Sequence, residues 1–490
     1  MPRMRQLNLH NMVMPTSAAS TRQPLYVQIA QDLVALIETR VLQPGQKLPS
    51  IRDIAVHRGV SVATAVQALR WLEERHIVQA SPRSGYFVCA DARAPALPGT
   101  SRPPKQSMVV HHSSRVERLS LPAERLRASF GSASPEDPLF FDEGRIRTAM
   151  QKALRKHRHT LIEYSGPSGT PPLRSAIAQR ALHLGCQLEP EDIIVTGSCI
   201  HSVSLCLRAV TQPGDIVALE SPTHFGFLDL LESLKLRALE IPTHPQSGMS
   251  IPALQLALDT QPIKAVLAVP TLSNPLGAIM SSEDKRALVH LLAERQTPLI
   301  EDVVLNDLLG TDERRRAAKS FDTGGHVMVC GSFSKTLCPG IRIGWLQAGR
   351  WHDKVQRLRQ TEGIVTNVVL EHTLADLSTQ VGYEARMRKF GSSLHKRLQQ
   401  ARALIAQSFP AGTRISDPPT GLTLWLELPP RIETLALFEL CQQEGILFAP
   451  GSLFTASNRF GHCLRLSFAG PWGHEQKQAL VRIGTLAKSI

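Results

Sequence analysis

Ser332-Phe333-Ser334-Lys335, followed by Pro339-Gly340-Ile341-Arg342-Ile343-Gly344-Trp345, is the stretch on which the reading of this chain turns. It sets one lysine among small hydroxyl residues, with an arginine seven positions on and little other charge nearby. A covalent aldehyde cofactor with a phosphate tail needs that combination. The lysine amine forms the Schiff base, while Ser332, Ser334 and the Arg342 fork hold the phosphate. Lys335 alone, one of 55 Lys+Arg, would read as a solvated surface charge. Its neighbours reverse that reading.

The chain around this stretch has 490 residues, too many for one ordinary core, so two or three domains are expected. Hydrophobic content of 42% and charged content of 20% describe a soluble globular protein. No run of about 18 apolar residues suggests a membrane span. The N-terminus has arginines but lacks the apolar stretch of a secretory signal. Eight cysteines lie scattered without CxxC pairs, which suits a reducing cytoplasm and argues against structural zinc. The net charge of +13 is uneven: residues 1–130 hold 17 Lys+Arg against 8 Asp+Glu, and the remainder 38 against 34. A basic excess concentrated at one end fits contact with a phosphate backbone.

Residues 1–23 are polar and irregular and read as a disordered tail. Within 24–90 the punctuation is dense. Leu25 to Thr39 has helical apolar spacing, and Pro44-Gly45 is a turn. Ser50 caps a short helix to His57, Gly59-Val60-Ser61 breaks it, and Ser61 caps a third helix to about Arg75. Ile77 to Val88 reads as two strands around Pro82-Arg83-Ser84-Gly85. Three helices and a hairpin make a winged helix-turn-helix. Residues 91–135, rich in Pro, Ser, Arg and Ala, read as a linker. From 136 to 490 apolar strands alternate with helices, with candidate strands at 193–196, 216–219, 265–269, 299–301, 327–330 and 343–347. That alternation predicts an α/β domain with a mostly parallel, doubly wound sheet.

The N-terminal stretch Gln43-Pro-Gly-Gln-Lys-Leu-Pro-Ser-Ile-Arg-Asp-Ile-Ala, then Gly59-Val-Ser-Val-Ala-Thr-Ala-Val-Gln-Ala-Leu, then Ser84-Gly-Tyr-Phe-Val resembles the GntR family of winged-helix regulators. The resemblance implies duplex DNA as partner. Arg52 would grip phosphate, the start of the third helix would enter the major groove, and the wing with Arg83 would reach toward the minor groove. Ser61, Ala63, Thr64 and Gln67 lie on the expected groove face. Gln67 suits adenine N6/N7 and Ala63 a thymine methyl. Two positions often arginine in the family are Val62 and Val66 here, which weighs against guanine readout.

Residues from 136 onward resemble the fold-type I, class I/II aminotransferases, and the whole chain resembles the MocR subfamily of GntR regulators. The resemblance implies pyridoxal 5'-phosphate bound at Lys335, with Asp302 facing the pyridine nitrogen and Asn274, in Asn274-Pro275-Leu276-Gly277, bonding the phenolic oxygen. Thr196-Gly197-Ser198-Cys199 would open a helix whose N–H groups meet the phosphate. Tyr164, in Tyr164-Ser-Gly-Pro-Ser-Gly169, would reach the phosphate of a neighbouring subunit, making the protein a homodimer. Arg465 would fork onto a substrate carboxylate. Two positions depart from the family. Leu305 stands where a tyrosine is common, and His224 stands where an aromatic stacks on the ring, a residue that both stacks and titrates. The expected function is a cytoplasmic transcriptional regulator sensing the cofactor or an amino compound. The alternative is a working aminotransferase with a secondary DNA module.

Overall fold

A computed structural model of the chain describes residues 24–38, 41–43, 45–74, 77–81, 85–88, 95–112, 126–135, 140–158, 161–162, 166–363 and 366–490. Contacts divide it into two compact units, Met1–Ala94 and Pro95–Ile490.

The first unit has helices α1 (Leu25–Glu38), α2 (Ile51–Arg58) and α3 (Val62–Glu74), then strands β1 (Val78–Ser81) and β2 (Gly85–Val88). Ser50 starts α2 with a capping box: its hydroxyl accepts the Asp53 N–H, and Asp53 accepts the Ser50 N–H in return. Gly59 ends the helix in the left-handed region at φ 60°, where a Cβ would be strained. The Ser61 hydroxyl accepts the Thr64 N–H at 3.1 Å and so starts α3. Ile29, Leu33, Ile54, Ala65, Leu69, Leu72 and Val88 close a small core between the helices and the antiparallel β1–β2 hairpin.

The second unit is built on a large sheet. Its strands are β3 (Met108–Val109), β5 (Ile193–Thr196), β6 (Ile216–Ser221), β7 (Arg237–His244), β9 (Ile263–Ala268), β10 (Leu299–Asp302), β11 (Val327–Ser332) and β12 (Gly344–Gln347), with β4 (Ala128–Ser129) outside it and a short β8 (Gly248–Met249) beside β7. The order is β3-β7-β6-β9-β10-β11-β12-β5. Strands β7, β6, β9, β10 and β11 run parallel, whereas β12 runs antiparallel to both neighbours. Eleven residues, 333–343, join β11 to β12. A parallel return takes a crossover of about a dozen or more residues, so this short connection reverses the strand. The parallel strands are mostly apolar, because helices cover both faces. A separate four-stranded antiparallel sheet carries Thr423–Glu427 and Cys463–Ser467 over its own core.

The sequence reads 91–135 as a linker, but its described parts are built into the second unit. Met108–Val109 pairs with β7, Ser101 bonds Thr243 through both its N–H and its hydroxyl, and the Gly99 N–H donates to Glu427. Ala128–Ser129 pairs with Ile446–Leu447, and Val110 and Phe130 are buried. An extended strap at a sheet edge uses few backbone donors, so it tolerates the prolines that made the segment look unstructured. Six residues, 89–94, therefore separate β2 from the second unit.

Candidate functional site

Because β5, β6, β9, β10 and β11 share one direction, their carboxyl ends meet at one edge of the sheet, the usual place for a ligand in such folds. A cavity of about 230 Å³ opens there, lined by Ser198, Cys199, His224, Asn274, Asp302, Ser332, Ser334, Lys335 and Arg342. Nine residues singled out from sequence, spread over 145 positions, thus share one wall. Leu305 also lines the cavity, so an apolar side chain occupies the place of the missing phenol.

Local backbone chemistry explains how several of them arrive. Arg342 adopts the left-handed region (φ 56°, ψ 53°), uncommon for a non-glycine residue, as the chain swings from β11 into β12. Gly344 begins β12 against the loop after β5, and a Cβ there would lie 2.4 Å from the Ser198 carbonyl carbon. Only glycine lets β12 approach the loop this closely. Ser198 caps the helix Cys199–Val210 through the His201 N–H (3.1 Å), so the unpaired N–H groups of that helix's first turn lie at the cavity wall.

The cavity's electrostatics follow from burial. Burial pushes the Asp302 carboxyl up to about 6, although its Oδ1 accepts the Val304 N–H at 2.8 Å and the Cys199 thiol and Lys335 pull the other way. Cys199 is driven well above its ordinary value by burial and by Asp302 beside it, so it stays a thiol. His224 is pushed down to about 3 by burial and by the Arg465, Lys335 and His112 charges. Its Nδ1 accepts the Gly226 N–H at 3.0 Å, leaving the proton of the neutral ring on Nε2. The titration that the sequence allowed is thus suppressed, and the flat ring remains, stacked on Phe225 with centroids 5.0 Å apart.

Arg465 stands on the strand Cys463–Ser467, 1% exposed. Its Nη1 donates to Asn274 Oδ1 at 3.1 Å and its Nη2 to the Gly131 carbonyl, while Phe225 and Phe454 flank the guanidinium. Among the described residues no carboxylate pairs with it, and its Nε has no hydrogen-bond partner. Burial pushes this group down to about 9, still charged at neutral pH. Lys335 Nζ donates to Ser134 Oγ at 3.0 Å.

Residues 131–134 were missed from sequence. They meet the arginine and the lysine through a carbonyl and one hydroxyl, which leave no pattern to read. Glu220 was missed as well. It is the penultimate residue of β6 and buried, with Oε2 accepting the Val269 N–H at 3.1 Å and Oε1 unpartnered, and burial pushes it up to about 8. A lone acid near the end of an apolar strand before Pro222 was the available signal.

In the first unit, Arg52 is exposed on α2, and Ser61, Ala63 and Gln67 are exposed with Thr64 half-buried at the start of α3. Tyr164 and Arg83 lie outside the described residues.

Comparison with known families agrees with both units. The model of the aminotransferase class I and II family matches residues 137–483, and that of the bacterial regulatory proteins of the gntR family matches residues 25–88. The chain is 32% identical over 467 residues to the HTH-type transcriptional regulator YjiR of Escherichia coli, covering 94% of this chain and 98% of the relative. It is 33% identical over 465 residues to the regulator YdcR of the same organism, with the same coverage of 94% and 98%. Aromatic-amino-acid aminotransferase 1 of Thermococcus litoralis is 26% identical over 65% of this chain and 78% of its own length. Among solved structures, the second unit shares its fold with the alpha-aminoadipate aminotransferase LysN of Thermus thermophilus. The TM-score is 0.68 at 22% identity, covering 77% of this chain and 97% of that one. No helix among the described residues is long and apolar enough to cross a membrane. The chain belongs to the MocR-type regulators of transcription, in which a gntR-family DNA-binding domain is fused to a class I and II aminotransferase-like domain.

Proposed function

We propose that the second domain binds pyridoxal 5'-phosphate at Lys335 and takes up an amino compound bearing a carboxylate, and that its ligand state sets the DNA affinity of the first. The observation that carries this is Arg465: a buried, charged guanidinium with an unpartnered Nε and no carboxylate, joined to the cofactor cavity through Asn274. A buried cation of this kind is strongly stabilised by an incoming anion.

The residues present fit the cofactor. Ser334 Oγ is buried without a hydrogen-bond partner, a group suited to a phosphate oxygen. The first turn of the helix Cys199–Val210 and the Arg342 guanidinium supply further positive ends. Asp302 would bond the pyridine nitrogen, Asn274 the phenolic oxygen, and the uncharged His224 ring would lie flat against the pyridine. When bound, the cofactor supplies an electrophilic aldehyde for amines. Lys335 holds the nucleophilic amine, and Arg465 orients the carboxylate of the incoming compound.

The strap supports a switch. Gly131 O and Ser134 Oγ occupy polar groups of Arg465 and Lys335. A ligand that takes those bonds must displace residues 131–134, which gives it different contacts in two states, as any ligand-driven shift requires. A coupling of about 1–3 kcal/mol would change operator affinity roughly 5- to 150-fold. The protein would act as a homodimer in which Tyr164 reaches the neighbour's phosphate, and a monomer in sedimentation with cofactor bound would exclude that part.

The test measures operator affinity with and without pyridoxal phosphate, and with amino compounds that shift the visible spectrum. Borohydride should fix the cofactor to Lys335 and not to Lys335→Ala. Identical affinities in all conditions, beside rapid transamination of a common amino acid, would favour the enzyme reading, which the joint retention of Lys335 and Arg465 keeps open.

A further inference from the structure

In a winged helix-turn-helix the helix corresponding to α3 enters the major groove. At about 100° per residue, Val62, Ala63, Val66, Gln67 and Arg70 fall within an arc of about 140°. Buried Ala65, Ala68, Leu69 and Leu72 lie opposite. Val62 is 53% exposed, Ala63, Gln67 and Arg70 are exposed, and Val66 is half-buried. Before Arg70 this face carries no charge. The hydroxyls of Ser61 and Thr64 bond each other at 2.8 Å and start the helix, so they are already engaged. The Gln67 carboxamide makes no hydrogen bond among the described residues.

The helix therefore presents methyl groups and one carboxamide. In the major groove only thymine displays a methyl, and a carboxamide pairs with adenine N6 and N7. Guanine offers two acceptors and calls for arginine or lysine, yet the first cation on this face is Arg70, two turns along. From Val62 to Gln67 the helix rises about 7.5 Å, or about two base steps.

We propose that α3 reads a thymine- and adenine-rich step in each half-site. Val62, Ala63 and Val66 seat against the C5-methyls of adjacent thymines, and Gln67 pairs with an adenine. The inference rests on the DNA-binding reading of this domain and names the base chemistry it selects.

The full-length protein would select duplexes from a randomised pool, and anisotropy would measure its affinity for the enriched site and for copies with deoxyuridine replacing single thymines. The expected half-site has adjacent A·T pairs at which each lost methyl weakens binding about fourfold. In the double variant Val62→Ser, Val66→Ser the thymine–deoxyuridine difference should shrink at the positions those two side chains meet and persist at the one Ala63 meets, and Val62→Arg should move one position toward guanine. Selected G·C pairs at those positions, or equal binding of thymine and deoxyuridine duplexes by the unaltered protein, would overturn the inference while leaving DNA binding intact. A protein that binds no duplex at all would overturn the DNA-binding reading, and the inference with it.

Discussion

Replacing Arg465 with methionine should separate affinity from stability with opposite signs. A carboxylate forked onto this guanidinium gains two charge-assisted hydrogen bonds, about 1.5–3 kcal/mol each. It displaces the Gly131 carbonyl and competes with Asn274, together about 2 kcal/mol of neutral-acceptor bonding. The net is about 1–4 kcal/mol, so Arg465→Met should weaken a carboxylate-bearing amine roughly 5- to 1000-fold. The matching amine without a carboxylate should lose little. The ligand-free protein should gain. Burial lowers the group from 12.5 to about 9, which corresponds to on the order of 5 kcal/mol of desolvation. Two neutral acceptors and two ring faces offset only part of that. Spectral titration of cofactor-loaded protein with an amino acid and its decarboxylated amine gives the affinities, and urea unfolding gives the stability. If the amino acid keeps its advantage over the amine in Arg465→Met, the carboxylate role of this residue is wrong.

Three further outcomes are expected. Glu220 holds its proton up to about 8 in the fold against 4.5 ordinarily. Its stabilising contribution is thus complete below about 4.5 and is lost as pH rises through 8; Glu220→Gln should flatten the fall in urea midpoint over that range, while Asp302, Glu301 and Glu427, also raised by burial, keep their own parts of the slope, and an unchanged slope would contradict this. Because His224 is uncharged far above its depressed value of about 3, His224→Phe should keep the pH profile of the bound-cofactor spectrum across the neutral range, and a displaced midpoint would restore a titrating role. Arg52→Ala should weaken all duplexes about equally and lower the salt slope by about one, and equal binding by variant and parent across a salt titration would remove Arg52 from the interface.

What could be read from sequence was chemistry that is contiguous along the chain or sits at strand ends. Lys335 and Arg342 share one loop, and Asp302 closes β10, so strand alternation placed them before any distance was known. The reversal of β12 was not legible from alternation alone, since it depends on the length of the 333–343 connection. One partner of Arg465 and one of Lys335 are a backbone carbonyl and a hydroxyl 334 and 201 positions away in sequence. The proton on Glu220 and its absence from His224 both reflect depth, which a one-dimensional pattern reports poorly. Composition misled at 95–112, where prolines signalled freedom and the fold used them in an edge strap.

That strap also settles where the molecule can be divided. A truncation beginning at residue 137, where the aminotransferase family match starts, would strip the edge strand Met108–Val109 from β7 and remove Phe130 from its core. It would also take Gly131 and Ser134 from the ligand site. Losing one buried phenylalanine alone costs about 3–5 kcal/mol, so such a fragment should be insoluble or unresponsive for reasons unrelated to the missing DNA domain. A cut after Ala94 keeps the whole strap with the second unit.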